Sequence, residues 1–268
     1  MIKAIAVDMD GTFLNSNNDY DREAFLELFK KLKAKEARFV VASGNQYAQI
    51  SSFSPEIWRE ITFVSENGGL VFEKGNLLIK KTIAKPIIQD TLTLLENTSY
   101  KVGIILCGVQ SAYILKSENT DLKKEAAKYY FALKEIDSFQ DLPDDEWVKI
   151  ALQLEDKNAF SIIDLMNEKN NSQLKAVYSG HGSVDLIANE VNKGNTLKQL
   201  LNQWEIKTEQ FLDFGDSNND LEMLELAGYS YSMANASEQV TRVAKYQAPS
   251  NDENGVISTI NALFDKLG

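Results

Sequence analysis

Cysteine, histidine and proline are scarce: the 268 residues hold one cysteine (Cys107), one histidine (His181) and four prolines. A lone cysteine excludes an intrachain disulfide and a thiolate metal cluster, which fits a reducing compartment. His181, between Gly180 and Gly182, reads as a loop residue or a substrate contact. Nothing in the chain resembles a proline-rich linker, a low-complexity tract or an internal repeat. No stretch approaches the roughly 18 uninterrupted apolar residues of a membrane span, and "IKAIAVDMDGT" shows neither the apolar core nor the cleavage site of a signal peptide. A soluble, cytoplasmic protein is expected. Positive charge is in deficit: 28 Lys and Arg face 39 Asp and Glu, for a net charge of −11. Such a surface repels nucleic acid and anionic lipid, so neither is an expected partner. It also repels small phosphorylated ligands at long range, so a site for them must supply local positive charge from lysine, metal or backbone N–H groups.

What is present is an ordinary folding composition, 44% hydrophobic and 25% charged, on a length that suits two modest domains. Short apolar strands alternate with amphipathic helices at first: "IKAIAVD", then "DREAFLELFKKLKAKE", then "RFVVAS" and "ITFVSENGG". This βαβ pattern predicts a parallel sheet. "LVFEKGNLLIKK" predicts a hairpin around Lys74-Gly75-Asn76. From about residue 83 the pattern changes to a helix over 86–96, paired strands over 102–115 and a helix over 121–134. Strand, helix, strand and strand signals follow through "VKIALQL", "AFSIIDLMNE", "LKAVYS" and "SVDLIA". After residue 188 the first pattern returns, with a helix from Lys193 to Trp204, strands "QFLDFGD" and "YSYSMA", and a helix from about 237. The order predicts an α/β protein: a doubly wound, Rossmann-like core over 1–82 and 189–268, interrupted by an inserted α+β domain over 83–188.

Ligands of such a sheet bind outside the carboxyl ends of its strands. Four motifs stand at those ends or at a helix start: Asp8 and Asp10, Ser43-Gly44-Asn45, Lys193-Gly194, and "DSNND" from Asp216 to Asp220. Together they suit phosphoryl transfer with Mg²⁺, a hard cation held by a few carboxylates, water and substrate oxygens. Asp8 and Asp216 are the candidate metal carboxylates. Asp8 is also a candidate nucleophile, through an aspartyl-phosphate, and Asp10 a general acid and then base. Lys193, the Ser43 hydroxyl and N–H groups at Gly11, Gly44 and the helix starts supply the positive charge that phosphate requires.

Competing readings are specific enough to test. A calcium loop needs glycine at its position 6 and glutamate at 12, and no register through Asp8 or Asp216 meets both. "DFG" at 213–215 lacks the other kinase motifs. Asp216, Asn219 and Asp220 also suit helix capping, which is compatible with a role in the site. Lys193 alone reads as a solvated lysine at a helix start, where it opposes the helix dipole.

The set "DMDGT", "ASGN", "KG" and "GDSNND" resembles the haloacid dehalogenase-like hydrolases over essentially the whole chain. The insertion and "SENGG" at 65–69 resemble the Cof-type subfamily with its α/β cap. "VDMDGTFL", "RFVVASGNQY", "GVQSAY" and "GDSNNDLEML" are similar to bacterial sugar phosphatases of that subfamily. The resemblance implies a Mg²⁺-dependent phosphatase of small phosphorylated metabolites, with sugar phosphates foremost. It implies Asp8 as nucleophile and Asp10 as acid/base; Mg²⁺ on Asp8, the Asp10 carbonyl and Asp216; and phosphate on Ser43, Gly44, Asn45, Lys193 and Asn219. Thr12 and Asp220 have supporting roles. Many Cof-type members carry arginine where this chain has Asn45, which favours monophosphorylated substrates. A phosphomutase or a non-enzymatic phospholigand-binding regulator is the alternative, and the sequence leaves the oligomeric state open. Asn67, Gly68 and the "GHGSVDL" segment at 180–186 are candidate specificity contacts.

Overall fold

The first strand, β1 (Ala4–Val7), is buried along its whole length, as an unbroken apolar run requires of a strand covered on both faces. With β2 (Arg38–Ala42), β3 (Thr62–Ser65), β4 (Leu70–Glu73) and β5 (Asn76–Lys80) it belongs to an eight-stranded sheet. The chain next builds a six-stranded sheet from β6 (Gly103–Gly108), β7 (Ala112–Leu115), β8 (Leu133–Ile136), β9 (Trp147–Gln153), β10 (Leu174–Gly180) and β11 (Ser183–Ala188). It returns to the first sheet with β12 (Phe211–Gly215), β13 (Tyr229–Met233) and β14 (Tyr246–Ala248). The computed structural model describes residues 1–169, 173–180 and 182–267, so His181 lies outside the described residues.

The larger sheet has the order β14-β13-β12-β1-β2-β3-β4-β5, and β1 pairs in parallel with both β12 and β2. The winding direction therefore reverses between β1 and β12, where a doubly wound sheet opens its ligand crevice. Asp8 follows β1 and Asp216 follows β12, so the reversal brings together carboxylates 208 positions apart in the chain. The predicted hairpin is present as β4 and β5, paired antiparallel. Lys74 (φ 55°) and Gly75 (φ 80°) both take left-handed backbone at its tip, as a tight hairpin turn demands.

Helices cover the sheet through one apolar stripe each. Arg22–Ala34 buries Phe25, Leu28, Phe29 and Leu32, and the Asp21 side chain caps it by accepting from the Ala24 N–H. Burying each of those side chains is worth about 1.5–3 kcal/mol. In the smaller sheet, alternation divides the strands between two clusters. Ile104, Leu106 and Ile150 pack with Ile88, Leu92, Ile162 and Met166 of the helices Lys85–Glu96 and Ala159–Lys169. Ile105, Cys107 and Ala151 pack on the opposite face with Leu122, Ala126 and Tyr130.

Two expected helices are shorter than their sequence signals. The one expected over 121–134 spans Thr120–Tyr129, and Leu133–Ile136 instead pairs in parallel with β7. Leu122, Ala126 and Tyr130 keep helical spacing and are buried; Leu133 continues the apolar spacing and packs on the same cluster, but as a strand residue, because the open edge of β7 offers backbone partners. The helix expected from about 237 is divided into Glu238–Val243 and Gly255–Leu267 by β14. That three-residue edge strand is too short to show a period of its own.

Candidate active site

The loop after β1 must turn sharply and admit a carboxylate from the neighbouring strand. Gly11 has φ +76°, and a Cβ there would lie 2.6 Å from Asp216 Oδ2, so only glycine satisfies both demands. Thr12 Oγ1 donates to Asp216 Oδ1 at 2.6 Å, which fixes Asp216 across the reversal point. Asp10 accepts from Asn45 Nδ2 at 2.7 Å, joining the β1 loop to the β2 loop.

Lys193 is fully buried rather than solvated. It opens the helix Lys193–Gln203, whose cap is Asn192, and donates to Asp8 Oδ1 at 2.6 Å and Asp220 Oδ1 at 2.7 Å. Burial alone would lower its pKa; the charges of Asp220 and Asp8 outweigh that and raise it, so it remains an ammonium. The other Asp220 oxygen accepts from the N–H groups of Asp216 and Ser217, each at 3.0 Å. Asp220 thus anchors both Lys193 and the turn that carries Asp216.

Burial pushes Asp8 well above the ordinary carboxylate range; Lys193 opposes this, and Asp220, Asp216 and Asp10 add repulsion. Burial, then the charge of Asp220, raises Asp216 to about 6. Asp10 keeps solvent contact, yet desolvation by the surrounding walls raises it against the Asn45 hydrogen bond and Lys193. Asp8, Asp216 and Asp220 each bring a carboxylate oxygen within 4.8 Å of the others. These are crowded, all-oxygen donors whose ionised forms lack sufficient positive charge. Such a set fits a hard dication. Asp220 is committed to the Lys193 ammonium and two backbone N–H groups, whereas Asp216 accepts only from the hydroxyls of Thr12 and Ser217 and Asp8 has one oxygen on Lys193 among the described residues, so Asp8 and Asp216 are the candidate ligands.

Of the sequence-derived residues, Asp8, Asp10, Ser43, Gly44, Asn45 and Asn219, with Ser217, line one cavity of about 530 Å³, while Thr12, Lys193, Asp216 and Asp220 lie behind that lining and reach it through hydrogen bonds to one another and to Asp8. Its other wall comes from the inserted unit, with Ile105, Leu122, Tyr129, Tyr130 and Ala151 beside Lys149, Gln153, Ser183 and Asp185. Asn219 Nδ2 donates to Asn67 Oδ1 at 3.1 Å, and Asn67 Nδ2 donates to Asp185 Oδ2 at 2.7 Å. Gly68 serves packing instead: a Cβ there would fall 2.5 Å from the Asn192 carbonyl oxygen.

The reading from sequence missed Lys149, Glu66 and Gln46. Lys149 carried a usable signal, a charge inside "WVKIAL" where a buried strand demands apolar side chains. Glu66 and Gln46 sit in loops and leave no periodic trace.

The profile of the haloacid dehalogenase-like hydrolases matches residues 5–260. The chain belongs to that family. Among curated haloacid dehalogenase-like relatives, the 5-amino-6-(5-phospho-D-ribitylamino)uracil phosphatase YbjI of Escherichia coli is 42% identical, over 98% of this chain and 96% of its own. The phosphoglycolate phosphatase of Methanosarcina acetivorans is 26% identical, over 97% of this chain and 96% of its own. SMU.1108c of Streptococcus mutans UA159, known as a crystal structure, superposes with a TM-score of 0.94 at 36% identity, covering 99% of this chain and 100% of that one. With such relatives this haloacid dehalogenase-like chain is a phosphoric monoester hydrolase, and the smaller sheet unit is its cap. No helix among the described residues is long and apolar enough to cross a membrane.

Proposed function

We propose that the protein is a Mg²⁺-dependent phosphatase of small phosphorylated metabolites that works through an aspartyl-phosphate on Asp8, with residues 83–188 as cap and 1–82 and 189–268 as catalytic core. The observation that carries this reading is the buried Lys193 ammonium, 2.6 Å from Asp8 Oδ1 at the floor of a cavity that Asp10 also lines. Lys193 holds one Asp8 oxygen, so the carboxylate is oriented for attack on phosphorus, and its charge, like that of bound Mg²⁺, would oppose the rise that burial imposes on Asp8. As the bond from Asp8 to phosphorus forms and the ester P–O bond breaks, Asp10 gives its proton to the leaving oxygen. In the second half Asp10 takes a proton from water, the water oxygen attacks phosphorus, and the bond to Asp8 breaks to release phosphate. Bound Mg²⁺ would neutralise Asp8 and Asp216 and polarise a phosphoryl oxygen. Ser43, the Gly44 N–H, Asn45 and Lys193 bind the phosphoryl group, and the cap excludes water while Asp8 is phosphorylated.

The cavity wall mixes apolar and aromatic groups with hydroxyl and amide groups, which suits a polyol phosphate with or without an attached ring. Sugar phosphates and the phosphoribitylaminouracil named for the E. coli relative are therefore the substrates to compare first. A Mg²⁺-supplemented screen over both classes, scored by released inorganic phosphate, tests the proposal. Turnover is expected to vanish with Asp8→Asn and with EDTA; activity surviving both would refute the mechanism.

A further inference from the structure

The proposed phosphate loop, Ser43-Gly44-Asn45, has all three carbonyl oxygens held from outside the loop. Ser43 O accepts from the Asn67 N–H at 3.1 Å and Asn45 O from the Glu66 N–H at 3.1 Å. Both donors come from the turn after β3, where Glu66 (φ 52°) and Asn67 (φ 56°) take left-handed backbone although neither is glycine. Two consecutive such residues are strained, and the reward is a pair of N–H groups aimed at the loop. The middle carbonyl, Gly44 O, is held by a different kind of donor: Lys149 Nζ, at 2.9 Å, from β9 of the cap.

Lys149 is 2% exposed. Its ammonium also lies 2.8 Å from Glu66 Oε2 and 3.4 Å from Asp185 Oδ1. One core carbonyl, one core carboxylate and one cap carboxylate therefore share it. A second cap contact meets the same loop one residue later: Gln46 Nε2 donates to Ala132 O at 3.0 Å, and Ala132 N–H donates to Gln46 Oε1 at 2.8 Å.

We propose that Lys149 is a positioning residue that completes the phosphate loop only when the cap is closed, coupling cap closure to phosphoryl binding. With its carbonyls held, and with the Ser43 N–H donating to Val64 O at 2.8 Å and the Asn45 N–H to Ser43 Oγ at 3.0 Å, the loop presents the Gly44 N–H and the Ser43 hydroxyl to the anion in fixed positions. When the cap lifts, Gly44 O loses its donor and Glu66 its cation, and the middle peptide is free to turn. By reciprocity, an anion on the loop must favour the closed cap. The inference rests on Ser43-Gly44-Asn45 being the phosphate loop, as proposed above, and it adds how the cap acts on that loop.

The probe is orthovanadate with Mg²⁺, a phosphate mimic without a leaving group. Hydrogen exchange on the wild-type protein should slow both at 43–46 and at the Ala132 amide when vanadate binds; protection confined to 43–46 overturns the coupling. In the paired variant Lys149→Met with Glu66→Gln, one charge of each sign is removed and Asp185 keeps Asn67. Vanadate and inorganic phosphate should inhibit it at least about tenfold more weakly, and kcat/KM should fall by one common factor for small and large phosphomonoesters. Unchanged inhibition with a loss that varies with the leaving group would make Lys149 a contact to that group instead, overturning the proposal. Should the paired variant fail to fold, the wild-type exchange result decides alone. A wild-type protein with neither turnover nor vanadate protection at 43–46 would remove the phosphatase reading itself, a result distinct from vanadate binding that leaves the cap unaffected.

Discussion

At the scale of single residues, the two carboxylates of "DMDG" differ in what surrounds them. Asp8 is buried and tied to Lys193, whereas Asp10 reaches solvent and accepts from the Asn45 side chain. Asp10→Asn should lower kcat by about 10²- to 10⁴-fold on an alkyl phosphate. The loss should be smaller on p-nitrophenyl phosphate, whose leaving group needs no proton; steady-state assays on both esters check this. Asp216, with its pKa raised to about 6, should make metal binding pH-dependent. A proton competes with the cation, so Mg²⁺ affinity measured calorimetrically should fall below pH 6, approaching about tenfold per pH unit. The same shift has the opposite sign for the metal-free fold. Between the unfolded value of 3.8 and about 6, the folded state holds more protons, so its stability declines as pH rises through that window. Gly11→Ala should weaken Mg²⁺ binding by displacing Asp216, since its Cβ would meet Oδ2 at 2.6 Å. The identities of Asp8, Asp10, Lys193 and Asp216 were legible in sequence as motifs. The burial of Lys193 was not, because a helix-start lysine carries no local mark of the two acids that will surround it.

At the scale of elements, periodicity read the strands and long helices well. It failed where an element is short or stabilised by an edge, as in Leu133–Ile136 and Tyr246–Ala248. Both strands close sheet edges, so their formation depends on a neighbour's free backbone groups more than on their own side chains. The cap of Arg22–Ala34, by contrast, is a local signal written in Asp21. Asp21→Ala removes the acceptor for the Ala24 N–H at 2.9 Å and should cost about 1 kcal/mol. Urea denaturation should show a lower midpoint with an unchanged slope, and kcat should stay as in wild type because the helix lies away from the cavity.

At the scale of the whole molecule, a net charge of −11 surrounds a site built for anions. Raising ionic strength from about 0.01 M to 0.15 M shortens the screening length from about 30 Å to 8 Å. The KM for a phosphorylated substrate should therefore fall as salt rises; a rising KM would mean that the local field of Lys193 and Lys149 governs encounter. The insertion between two halves of one sheet was legible in the sequence, because strand and helix periods change near residue 83 and change back near 188. So were the excess of acidic residues and the four motifs that the fold brings together, since each depends on composition or on residues close together in the chain. Only the tertiary structure decided that Lys149 of one sheet holds Gly44 of the other, that Asp220 anchors rather than reaches the cavity floor, and which cap residues form the far wall. The link from Lys149 to Gly44 joins positions 105 residues apart and that from Asp220 to Lys193 joins positions 27 apart, and their strength comes from burial that no local stretch of sequence contains.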